Sequence, residues 1–155
     1  MAGNEKKIMT ITVGLPGSGK TLWAKQAGFD RTVSLDDWRE KLWGDRGVQD
    51  GPGGFDLLLA LHNREVEEAL ENGESVVVHN TNLLREHRRQ LIEMARRAGY
   101  RVEIVYFEIP VEVCRQRNRE RNNPVPDEVI DDYAARLEEP VPDEADCVVR
   151  YSNII

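Results

Sequence analysis

Gly14-Leu15-Pro16-Gly17-Ser18-Gly19-Lys20-Thr21 is a complete phosphate-binding loop of the form G-x-x-x-x-G-K-[ST]. An apolar run with strand character, Ile8 to Val13, leads into it, and a stretch that can open a helix, Thr21 to Ala27, leads out. That strand–loop–helix setting is what gives the motif its physical meaning. The glycines let the backbone curl so that successive N–H groups converge on one point, and the positive end of the helix adds to the field there. Gly14, Pro16, Gly17, Ser18 and Gly19 are therefore expected to cradle the phosphates of ATP or another nucleoside triphosphate. Lys20 is expected to reach the β- and γ-phosphates as a solvent-facing charge, and the Thr21 hydroxyl to hold Mg²⁺.

Working outward, strand signals fall at 8–13, 32–35, 75–79, 101–107 and 147–151. Phe55, Leu58, Leu59, His62, Val66, Ala69 and Leu70 recur at helical spacing, which predicts a helix over 55–72 closed by Asn72-Gly73. Leu84, Leu91, Met94, Ala95 and Ala98 predict a second helix ending at Gly99; a third is expected over about 111–122, and Pro126-Asp127 opens a fourth. Strands alternating with helices argue an α/β fold, a parallel sheet of about five strands covered on both faces. The glycine-rich stretch from Gly44 to Gly54 reads as an insert and a candidate mobile flap.

In such sheets ligands bind beyond the carboxyl ends of the strands. Asp36-Asp37-Trp38-Arg39 follows the second strand and His79-Asn80-Thr81-Asn82 the third. Asp36 can accept the proton of an attacking hydroxyl, and a helix N-cap is its plainer role. Arg39, three residues on, would share its helix face and hold an acceptor phosphate. Of the arginines in the helix from 111, both Arg117/Arg121 and Arg115/Arg119 are four apart, and spacing alone does not choose between the pairs.

The 155 residues are the length of one domain, 1–155. A 40% hydrophobic content allows a core, and 32% charged residues argue a soluble chain. No apolar run approaches the ~20 residues needed to span a bilayer, and residues 1 to 7 lack a signal-like apolar segment. Cys114 and Cys147 form no metal-ligand pattern and read as reduced thiols, so a cytoplasmic location without membrane association is expected. The net charge of −7 argues against a broad nucleic-acid-coating surface. Residues 85 to 121 nevertheless hold ten arginines against six acids, a basic stripe suited to a small anion or a strand end.

Four signatures in order resemble the phage-type polynucleotide 5′-kinase domain over roughly residues 6 to 140: Gly14 to Lys25 with its Trp23-Ala24, Asp36-Asp37-Trp38-Arg39, Asn80-Thr81-Asn82-Leu83 followed by Arg88-Arg89, and Arg117-Asn118-x-x-Arg121 followed by Val125-Pro126. The resemblance implies an adenylate-kinase-like P-loop fold with a helical lid over about 111–139, ATP and Mg²⁺ as cofactors, and a DNA or RNA 5′-end as substrate, with no obligate protein partner. By the same resemblance Asp36 is the general base, Arg39 binds the acceptor's 3′-phosphate, and Thr81 with Asn82 lines the acceptor pocket. Lys20 and Arg121 are the catalytic cations on the donor, with Arg117 beside them, and the segment from Asp143 to Asp146 lies near the adenine. Asn80 departs from the pattern, which often has Asp. A kinase of a small molecule, nucleoside or modified DNA base is the alternative, and a non-catalytic nucleotide switch a further one.

Overall fold

The computed structural model describes residues 7–46, 51–122 and 124–152. Strands β1 (Ile8–Val13), β2 (Arg31–Val33), β3 (Val76–Val78), β4 (Arg101–Phe107) and β5 (Cys147–Tyr151) form one sheet. Every pairing is parallel, and the order is β2-β3-β1-β4-β5. Between them lie α1 (Lys20–Gln26), α2 (Leu35–Trp43), α3 (Gly54–Glu71), α4 (Arg85–Arg97), α5 (Val111–Arg119) and α6 (Asp127–Arg136).

The alternation of β4 shows how the layers arise. Val102, Ile104 and Tyr106 join Met9, Ile11 and Val13 of β1 in a cluster with Val66, Ala69 and Leu70 of α3 and Leu91, Ile92 and Ala95 of α4. Val105 and Phe107 point the other way, to Cys114 of α5, Ile130 of α6 and Trp23 of α1. Successive side chains of a strand leave opposite faces, so one apolar run serves two helical layers. β1 sits between β3 and β4, and the chain leaves it for β2, two places away. The sheet order therefore reverses at the end of β1, where a ligand crevice forms in open α/β sheets.

Several boundaries differ from the sequence expectation by one to three residues, and three of them have an evident local reason. β2 stops at Val33 because Ser34 turns to cap α2, its Oγ accepting from the Asp37 N–H at 3.0 Å. Asp36 is thus in the first turn of the helix and not its cap. β3 loses Ser75, whose N–H donates to Asp30 Oδ2 (2.8 Å) while its Oγ accepts from Asp30 N (2.9 Å). α5 ends at Arg119 because the buried Asn118 amide pairs with both backbone groups of Val125, at 2.7 and 3.1 Å, and turns the chain. Of the flap expected at 44–54, residues 47–50 lie outside the described residues; at its described end Pro52 accepts from Trp43 Nε1 at 3.0 Å. Cys114 and Cys147 are both free thiols. Among the described residues no helix is long and apolar enough to cross a membrane.

Candidate active site

The phosphate loop leaves β1 and is tied at both ends. Gly14 N donates to the Thr81 carbonyl (3.1 Å) and Ser18 N to that of Leu15 (3.1 Å). Gly17 has φ 84°, and a Cβ there would come within 2.8 Å of the Cys114 carbonyl of α5. Only glycine lets the loop pass that close to the helix. Gly19, also left-handed at φ 97°, opens α1. Pro16 is half-buried in the same turn.

Lys20 is not the solvent-facing charge expected. It is 7% exposed, and its ammonium folds back to donate to the Leu15 carbonyl (2.8 Å) and to Ser18 Oγ (3.3 Å). Burial lowers its pKa from 10.5 to about 8, partly offset by the nearby Cys114 and Asp36. A desolvated cation at the start of a helix is an incomplete anion site, since a phosphate would repay the lost hydration. The Thr21 hydroxyl makes no hydrogen bond among the described residues and is open for coordination. Among those residues no group of three His, Cys, Asp or Glu side chains can hold a metal. Mg²⁺ suits that donor set, because it is ordinarily bound by few protein oxygens together with substrate phosphates and water.

The first turn of α2 carries two acids. Asp36 is 52% exposed at its side chain, and its Oδ1 accepts from Arg39 Nη1 at 2.8 Å. Arg39 is 13% exposed, and its Nε is buried with no partner among the described residues. Asp37 is turned elsewhere, bonded to Arg46 Nη1 at 2.5 Å with His79 Nε2 at 3.8 Å. Burial works to raise the Asp37 pKa, but the hydrogen bond and charge of Arg46 prevail and hold it below the usual carboxylate value. Asp36 and Asp37 are thus adjacent in sequence and separate in task.

The loop after β3 is sewn to β1. Thr12 Oγ1 donates to the Asn80 carbonyl (3.0 Å), and Asn82 Nδ2 donates to the carbonyls of Thr12 (2.8 Å) and Val78 (3.3 Å). Asn82 takes φ 45° to do so, a left-handed conformation that asparagine tolerates. Its amide nitrogen is therefore spent on the framework. The Thr81 hydroxyl makes no hydrogen bond among the described residues. Asn80 accepts from Leu35 N (2.7 Å) and meets the buried His62 at Nε2 (3.0 Å), fixing the start of α2. An aspartate there could not donate to His62 Nε2. Sequence reading gave no role to His79, the first residue after β3. Its side chain is fully buried, neither ring nitrogen has a partner among the described residues, and burial lowers its pKa despite the Asp37 charge. The abrupt change from Val76-Val77-Val78 to a polar residue at a strand end was the available signal.

Half of the ten arginines of the basic stripe of 85–121 are ion-paired. Arg88, fully buried, bonds Glu144 and the carbonyls of Asn82 and Leu83; Arg89 pairs with Glu86 and Glu93. Arg115 and Arg119 pair with Asp131 and Asp127 of α6. Arg117 differs: its Nη1 reaches the Gly17 carbonyl of the phosphate loop at 3.4 Å, and no carboxylate pairs with it or with Arg121 among the described residues. Arg121 lies two residues beyond the end of α5, so the expected single helix face for 117 and 121 is broken. In the segment from Asp143 to Asp146, Glu144 holds Arg88 and Asp146 accepts from Val102 N (2.8 Å).

Comparison with known proteins places this geometry. The family model of an AAA domain matches residues 9–140. The chain is similar to an L-seryl-tRNA(Sec) kinase of Methanococcus maripaludis, 25% identical over 138 residues, 86% of this chain and 53% of the relative. It superposes on a chain of the Pnkp1/Rnl/Hen1 RNA repair complex with TM-score 0.74 at 21% identity, covering 88% of this chain and 46% of that one. It also superposes on Chaetomium thermophilum Kti12 in complex with ADP-AlF3, with TM-score 0.73 at 20% identity, covering 93% and 88%. These likenesses show the fold of P-loop kinases. The chain spans about half the length of the curated relatives it matches.

Proposed function

The chain belongs to the AAA domain family and has a P-loop kinase fold, and from this premise we propose that it transfers the γ-phosphoryl group of ATP to the 5′-hydroxyl of a DNA or RNA end. The observation that carries the reading is Arg39: a guanidinium beside a half-exposed carboxylate, its Nε buried without a hydrogen-bond partner among the described residues, is a site short of one anion. An acceptor bearing a 3′-phosphate supplies that anion while its 5′-hydroxyl faces Asp36. An L-seryl-tRNA(Sec) kinase and a chain of an RNA repair complex among the similar proteins support an acceptor that carries nucleic acid.

In the step itself the acceptor oxygen bonds to the γ-phosphorus. The bond from that phosphorus to the β–γ bridging oxygen breaks, ADP leaves with the electron pair, and the hydroxyl proton passes to the Asp36 carboxylate. The donor's phosphates draw Lys20 away from the Leu15 carbonyl, and the backbone of residues 14–19 binds them. Arg117 and Arg121, free of carboxylates among the described residues, close over the transferring group as part of a lid formed by 111–139. Thr21 would hold Mg²⁺, which would supply charge neutralisation on the donor. Thr81 offers its hydroxyl to the acceptor; Asn82 shapes the pocket from behind.

A kinase of a small molecule is the second reading, favoured because ion pairs neutralise half of the arginines of the basic stripe and so reduce the charge left for a long backbone. The test is transfer from γ-labelled ATP to a panel comprising a 5′-hydroxyl oligonucleotide, its 5′-phosphorylated form, a nucleoside 3′-phosphate and sugars. Label on the 5′-hydroxyl oligonucleotide and none on its phosphorylated form is the expected result. Label confined to a small molecule, or released only as inorganic phosphate, rejects the reading.

A further inference from the structure

We propose that Trp43 is a stacking platform for the base of the second nucleotide of the acceptor strand, an inference that rests on the nucleic-acid reading above. At 3.6 residues per turn and 1.5 Å per residue, Trp43 lies about 20° around the α2 axis from Asp36 and about 10 Å along it, with Arg39 between. The order Asp36, Arg39, Trp43 along one face matches hydroxyl, 3′-phosphate and next base along a strand. The opposite face is committed elsewhere: Trp38 donates through Nε1 to Glu65 of α3 at 2.8 Å, and Lys41 lies over its ring.

Trp43 is also fixed without serving the core. It belongs to neither apolar cluster. Its Nε1 donates to the Pro52 carbonyl, and a Cβ on Gly51 would come within 2.3 Å of Cδ2 and Cε2 of the indole. Gly51 thus lies against the ring where no side chain fits, while the residue remains half-buried with part of its surface open. A large aromatic surface, held rigid by its one polar atom and in line with the acceptor groups, suits a nucleobase of any sequence, since every base has a π-face. A kinase of small molecules has no use for it at that distance from Asp36.

The test compares two acceptors, a nucleoside 3′-phosphate and a 5′-hydroxyl dinucleotide, by transfer kinetics and by tryptophan fluorescence titration without ATP. The wild type is expected to favour the dinucleotide by about tenfold in KM and Kd. Trp43→Ala should erase that advantage while leaving the KM values of ATP and of the nucleoside 3′-phosphate within about twofold. Trp43→Phe should retain most of the advantage and lose most of the quenching. A Trp43→Ala penalty equal on both acceptors, or an advantage that persists in Trp43→Ala, overturns the inference and leaves the proposed function standing. A wild type that phosphorylates neither acceptor overturns both.

Discussion

At the phosphate loop Lys20 bonds the Leu15 carbonyl and the Ser18 hydroxyl, and the loop's backbone is anchored to Thr81 and pressed against α5. On α2, Arg39 spends one N–H on Asp36 and buries its Nε without a hydrogen-bond partner among the described residues, and His79 after β3 buries both ring nitrogens in the same way. The donor half of the proposed site bonds within itself; the proposed acceptor half leaves buried polar atoms without hydrogen-bond partners among the described residues. The difference teaches that the two halves store their specificity in different places. On the proposed function a phosphate would displace contacts that the loop already makes, whereas an acceptor would fill a polar deficit left by side chains of α2 and of the residue after β3.

The comparison breaks first at Asp36. Asp36→Asn keeps the shape and still accepts from Arg39 but cannot take the proton, so kcat should fall by about 10²–10⁴. Asp37→Asn should cost far less in kcat, because Asp37 faces Arg46 and His79. Equal losses in single-turnover transfer would place the base elsewhere.

Lys20→Met sharpens the donor side. Transfer should fall by about 10²–10³, the usual scale for a lost charge clamp. The ligand-free protein should become more stable, by up to about 3 kcal/mol, because a pKa drawn from 10.5 to about 8 measures the cost of burying the charged form at neutral pH. Thermal melts without nucleotide give the sign, and a lower Tm would mean that the internal bonds of Lys20 outweigh its desolvation.

Arg121→Lys should slow transfer by about tenfold, since a lysine cannot bridge two phosphate oxygens with a planar fork. Arg119→Lys should be nearly silent, its partner being Asp127. Similar rates for the two variants would remove Arg121 from the donor site.

How much of this could be read in advance depends on the distance over which each feature is decided. The loop 14–21, the strand β1 before it and the helix α3 follow from short-range spacing, and the structure has them where the spacing put them. The ends of β2 and α5 depend on Ser34 and Asn118 choosing backbone partners, a choice set by the tertiary path. The burial of Lys20 was not legible, because the loop's carbonyl and hydroxyl partners have no sequence signature. Nor was the division of the arginines: Arg115 and Arg119 look like Arg117 until α6 brings Asp131 and Asp127 against them. Asn82 is a pocket residue by the family resemblance, and its left-handed backbone turns its amide onto β1, which no local spacing foretells.

A smaller effect concerns pH. His62 and His79 are buried, and burial lowers both pKa values below 6.5. As pH falls below about 6.5 the unfolded chain takes up protons that the folded chain refuses, so stability should drop by up to about 1.4 kcal/mol per pH unit for each histidine. His79→Gln should flatten the slope of urea midpoints between pH 6.5 and 5. Asp37 acts lower: its depressed pKa contributes stability that is lost only as pH falls below about 3.8.

The claim that the acceptor half is built around a missing anion is tested most directly by a double cycle of Arg39→Ala against removal of the acceptor's 3′-phosphate. The readout is kcat/KM for a nucleoside 3′-phosphate and for the free nucleoside, with both enzymes. Arg39→Ala should cost about 10–100-fold on the phosphorylated acceptor, the worth of a charge-assisted hydrogen bond, and little on the nucleoside. An equal loss on both acceptors would contradict the account: Arg39 would then serve only to hold Asp36, and the buried Nε would mark no site for a phosphate.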